Sequence, residues 1–149
     1  MGKLRFLFLL VAVMFAFNEI DAQTYVKSTE GDIVFTISSS NKFYIGKGYD
    51  EYAAQIKGDV LEIDGTSKKT VFKNGTLYLE GEPMMKTVNG KTYIYDEDNK
   101  LVPDPICVRK DTKVYDDDGE LLFTVTQAIS DNVQTTVIFF LLLIASADD

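Results

Sequence analysis

From Gln23 onward, short apolar runs alternate with polar positions, and turn residues interrupt them every eight to twelve positions. Ile33, Phe35 and Ile37 alternate with Val34 and Thr36 before Ser38-Ser39-Ser40-Asn41 turns the chain into Phe43-Tyr44-Ile45. Val60-Leu61-Glu62-Ile63 runs into Asp64-Gly65, and Thr70-Val71-Phe72 runs into Lys73-Asn74-Gly75. In Thr76-Leu77-Tyr78-Leu79 the two leucines share one face and Tyr78 takes the other. Asn89-Gly90, between Lys86-Thr87-Val88 and Lys91-Thr92-Tyr93-Ile94-Tyr95, predicts a hairpin with a type I′ turn, whose two positive φ angles suit Asn and Gly. Tyr49 to Ile56 predicts at most two turns of helix, because Gly46, Gly48 and Gly58 bound it. Pro103 and Pro105 place their segment in a loop or on an edge. The pattern predicts one all-β domain, residues 23–149, of repeated β-hairpin units packed around a shared core.

One hairpin signature recurs. Tyr95-Asp96-Glu97-Asp98-Asn99-Lys100-Leu101-Val102 is echoed twenty residues later by Tyr115-Asp116-Asp117-Asp118-Gly119-Glu120-Leu121-Leu122. Val71 to Leu77 reads as an abridged copy with one turn residue fewer. A lone hairpin is barely stable in water, so such units must pack on one another.

Both ends of the chain are apolar. Lys3 and Arg5, the uncharged run Phe6 to Phe17 and the polar exit to Ala22 have the three-part order of a secretory signal, with cleavage expected after Ala22. The run is too short for a membrane span. Its removal leaves the net charge at −8, since Lys3 and Arg5 balance Glu19 and Asp21. Val137 to Ala145 is also too short to span a bilayer as a helix. Its β-branched and aromatic start predicts a closing strand buried on both faces.

Charge and composition narrow the chemistry. A net charge of −8 opposes nucleic acid and anionic lipid as partners. The chain has no histidine, which removes the commonest general base and zinc ligand. Its single cysteine, Cys107, cannot form an internal disulfide, and it lies too far from the cleavage region to be a lipoprotein cysteine. Flanked by Ile106 and Val108, it reads as a small core residue.

The last repeat, Tyr115-Asp116-x-x-Gly119-x-x-Leu122-Phe123-x-Val125, resembles the hairpin unit of the bacterial secreted five-fold β-flower proteins, Tyr-Asp-x-x-Gly-x-x-apolar-Gly-x-Ile. Phe123 stands where that unit has its second Gly, and Thr135 to Phe140 resembles the family's closing apolar strand. The resemblance is confined mainly to the C-terminal half. It implies hairpin architecture and export, and no activity.

The remaining motifs carry little chemistry. Asp116-Asp117-Asp118-Gly119 has carboxylates suited to a hard cation. An EF-hand placed on Gly119 would need acids where Val114 and Val125 stand, so we expect no metal or cofactor. Ser39-Ser40-Asn41-Lys42 and Ser130-Asp131-Asn132 match fragments of penicillin-binding enzymes, but Lys86-Thr87-Val88 is not the third motif, and Ser39 lies in a predicted turn. Asn74-Gly75-Thr76 fits a glycosylation acceptor, although Asn-Gly serves the turn. Eight tyrosines, Tyr93, Tyr95 and Tyr115 among them, offer a sugar-stacking face or plain half-buried sheet positions. Two functions follow. One is a non-catalytic protein, periplasmic or extracellular, with a structural role or a protein or glycan partner. The other is a small exported hydrolase using paired carboxylates. A concave pocket with facing carboxylates would favour the hydrolase, and we expect only solvated acidic turns.

Overall fold

A computed structural model describes residues 23–147. The predicted signal sequence lies outside the described residues. Twelve strands form a closed antiparallel barrel: β1 Thr24–Lys27, β2 Ile33–Ile37, β3 Lys42–Ile45, β4 Tyr52–Lys57, β5 Val60–Ile63, β6 Thr70–Lys73, β7 Thr76–Leu79, β8 Glu82–Val88, β9 Lys91–Ile94, β10 Cys107–Lys110, β11 Lys113–Asp116 and β12 Leu121–Val125. Each strand pairs with its neighbours in sequence, and β1 closes on β12 through Val26 opposite Val125. The all-β hairpin architecture is as the alternation predicts.

Alternation places one face of every strand inward. Val26, Phe35, Phe43, Leu61, Leu77, Met85, Cys107, Val114 and Phe123 line the interior, all at most 2% exposed. Asn74-Gly75 and Asn89-Gly90 each hold two positive φ angles in two-residue turns, closed by Lys73 opposite Thr76 and Val88 opposite Lys91. Tyr95 pairs with Leu101 as Tyr115 pairs with Leu121, so the twenty-residue echo is one hairpin built twice.

Three expectations need correction. The C-terminal run is not a strand: Asp131–Ala147 is a helix, α1. Closure of β1 on β12 leaves no edge for a thirteenth strand. A helix satisfies its own backbone hydrogen bonds inside the lumen, which overrides the strand preference of Thr135, Thr136, Val137 and Ile138. Every residue from Val133 to Phe140 is buried, as expected for a helix enclosed on all sides. The second correction is Tyr52–Lys57, which is strand β4 and not helical. Ala54 and Ile56 point inward against β5, and that pairing outweighs weak helix propensity. Third, Val71 to Leu77 is no copy of the acidic repeat. Its turn lies at the opposite end of the barrel, and Phe72 faces the core whereas Tyr115 faces outward.

The up-and-down order gives the barrel two unlike ends. Connections after even-numbered strands form the entry end, where β12 leads into α1. Those after odd-numbered strands form the exit end. At the entry end Ser130 caps the helix, its Oγ accepting from the Val133 N–H at 3.1 Å. Asp131 accepts from the Asn89 and Gly90 N–H groups, both at 3.1 Å. Inside, the fully buried Gln134 donates to Gly90 O and Thr92 Oγ1 at 2.9 Å and accepts from Arg109 at 2.6 Å. Thr87 Oγ1 lies 2.7 Å from both Thr92 Oγ1 and Thr135 Oγ1. Deeper in, Phe140 packs on Phe35 and Phe43, at 6.0 and 6.2 Å between ring centroids. Leu142, Leu143 and Ile144 emerge exposed at the exit end.

Candidate binding groove

A groove of about 740 Å³ lies on the outside of β10 and β11. Its shape follows from local chemistry. Proline has no N–H to donate, so Pro103-Asp104-Pro105 leaves the sheet between β9 and β10 and stands as a wall. Cys107 and Val114 point inward, which turns Val108 and Tyr115 outward, and these two residues are paired across β10 and β11. Tyr115 and Val108 therefore form the floor, with Pro105 beside them. Lys110 closes one end, its Nζ 5.8 Å from the Tyr115 ring centroid. Asp104, Asp116 and Asp117 line the other.

The acidic lip is held by its own turn. Asp116 Oδ1 accepts from the Asp118 and Glu120 N–H groups at 2.9 Å, and Gly119 N–H donates to Asp116 O at 3.1 Å. Asp96 makes the same bonds to Asp98, Lys100 and Asn99. Ser28 and Ser38 make them in the turns Ser28–Asp32 and Ser38–Lys42. In all four turns the fourth residue has positive φ: Gly31, Asn41, Asn99 and Gly119. The first Asp or Ser of each thus supplies a side-chain oxygen that organises the turn. Asp116, Asp117 and Asp118 bring carboxylate oxygens within 4.8 Å of one another, with the latter two exposed. Of the three acids that line the groove, Asp104 and Asp117 are exposed and Asp116 is half-buried.

Other sequence candidates take structural positions. Cys107 is buried and faces the lumen, and burial pushes its thiol up to about 11. Ser39 and Ser130 line a common depression of about 330 Å³. Ser39 sits exposed in the β2–β3 turn, while Ser130 caps α1. Lys42 is held in its turn through its own N–H to Ser38 Oγ. Tyr78, Tyr93, Tyr95 and Tyr115 are all half-buried on the outer face. Strand parity from Cys107 could have found Arg109, two positions on and therefore inward, where it meets Gln134 and Asp131, the latter at 3.6 Å. No helix among the described residues is long and apolar enough to cross a membrane. No protein-family model, curated protein or solved structure matches the chain.

Proposed function

We propose that the protein is an exported, non-catalytic barrel that binds glycan in the β10–β11 groove. The observation that carries this is the Tyr115 floor with hydrogen-bonding groups at both ends. An aromatic face takes the C–H side of a pyranose ring, while Asp104, Asp116 and Asp117 accept from hydroxyls and Lys110 donates. Export rests on Lys3, Arg5, Phe6–Phe17 and Ala22. Because β1 begins at Thr24, cleavage after Ala22 spares every described strand. Kinship with the β-flower proteins belongs to the same proposal and rests on the Tyr115–Val125 hairpin.

Titration of an oligosaccharide panel, followed by NMR, tests the groove. Binding should perturb Val108, Tyr115 and Gly119, and Tyr115→Ala should abolish it. Perturbation elsewhere alone would reject the site. The three aspartates at the lip also fit the hydrolase reading, and the same panel separates the two: released reducing ends that vanish in Asp104→Asn or Asp117→Asn would establish hydrolysis. N-terminal sequencing of the exported chain should begin at Gln23.

A further inference from the structure

The groove is one end of a longer surface. Inward Phe72, Leu77, Met85, Thr92, Cys107 and Val114 turn their strand neighbours outward on β6 through β11. Outward positions on these strands alternate between lysine and tyrosine: Lys73 on β6, Tyr78 on β7, Lys86 on β8, Tyr93 on β9, Lys110 on β10, three positions beyond Cys107, and Tyr115 on β11. The series falls into three lysine–tyrosine pairs set at different heights on the barrel, since Tyr78 lies opposite Pro83 and Tyr115 opposite Val108. Lys73 Nζ lies 5.8 Å from the Tyr78 ring centroid, Lys86 is paired with Tyr93, and Lys110 repeats the first contact on Tyr115. Lys91, paired with Val108, and Lys113, paired with Lys110, add charge along the entry side.

We propose that this lysine–tyrosine face binds an acidic glycan lying across the strands, with one sugar in the Tyr115 groove. The inference rests on the groove reading and names its ligand class. Three features support it. Within β6–β11 the acids are Glu82 and Asp116, both at exit-end strand termini, so lysines outnumber acids on these strands of an acidic protein. The ion pairs among the described residues are Lys57–Glu62 and Arg109–Asp131, and neither uses one of these lysines. Lys110 opposite Lys113 is a like-charge pair that an anion would relieve.

The test is isothermal titration of the protein with oligogalacturonate, with a heparin oligosaccharide and with methyl-esterified oligogalacturonate, which keeps the rings and loses the charge. Single-stranded oligonucleotide and phosphatidylserine vesicles serve as competitors. At least one acidic oligosaccharide should bind in a salt-sensitive manner and more tightly than the ester. Combining Lys73→Gln, Lys86→Gln and Lys91→Gln should weaken it roughly tenfold or more, about 1.4 kcal/mol. Tyr78→Ala and Tyr93→Ala should weaken long oligomers and spare short ones. Absence of binding by both acidic sugars, equal binding by the ester, an unaffected triple lysine variant, or tighter binding of oligonucleotide or vesicles would each overturn the inference. Loss of acidic-chain binding in the lysine variant with Tyr115→Ala silent would retain the lysine–tyrosine face and reject the groove.

Discussion

At the residue scale, Leu121 and Phe123 separate turn packing from core packing. Leu121, which repeats Leu101, is only half-buried, whereas Phe123 is 2% exposed. We therefore expect Phe123→Ala to cost about 3–5 kcal/mol and Leu121→Ala distinctly less, as read by chemical denaturation. Asp116→Asn keeps the oxygen that accepts from Asp118 and Glu120, so its effect on folding should be small, while Asp116→Ala removes that acceptor. Cys107 gives a pH test. Below its ordinary value of 9.0 the thiol is protonated in both folded and unfolded chains, and stability is undiminished. Between 9.0 and about 11 only the unfolded thiol ionises, so stability falls by about 1.4 kcal/mol per pH unit and levels off above that window. Because tyrosines and lysines titrate nearby, the measured quantity is the difference between the parent protein and Cys107→Ala across this range. A constant difference would show that the thiol ionises equally in both states.

At the element scale, the strands were legible and the helix was not, for a physical reason. Phe35, Leu77 and Phe123 alternate with outward neighbours, and a two-residue period admits few readings. From Val133 to Phe140 every position is buried, so no period distinguishes an enclosed helix from a doubly buried strand. What decides is closure of β1 on β12, a contact across the whole chain. The groove was legible only in part. Tyr115, Asp116 and the two prolines stand out in the sequence, but the register that sets Tyr115 beside Val108 does not. Gln134 offers a test of how the helix is seated. It touches Gly90, Thr92 and Arg109, so Gln134→Leu removes bonds from three partners at once. The cost should be about 2–4 kcal/mol, and Arg109→Leu should recover part of it in the double variant. Additive losses in that cycle would show that the two side chains are not coupled.

At the scale of the whole molecule, charge follows topology. The exit-end connections carry Glu30, Asp32, Asp50, Glu51, Asp64, Glu80, Asp96, Glu97, Asp98, Asp104, Asp117, Asp118 and Glu120, against Lys47, Lys68, Lys69 and Lys100. Lysines instead flank the entry-end turns at Lys42, Lys57, Lys73, Lys91, Lys110 and Lys113. The helix dipole sharpens the contrast. Asp131 sits favourably at the positive end of α1, while its negative end emerges among the acids with no basic residue in the last turn. Like charges crowded at one end repel, and mobile ions screen them within about 10 Å at moderate ionic strength. Thermal stability should therefore rise with sodium chloride from low ionic strength. Replacing Asp98 and Asp118, which are exposed and lend only backbone N–H groups to their turns, with Asn should flatten that rise. The same salt series should weaken the acidic glycan held at the lysines. Opposite salt responses of stability and binding, each reduced by substitutions at its own group of charges, would tie both to this division of charge. Stability that falls with salt would mean that attraction between the two ends outweighs repulsion within the acidic one.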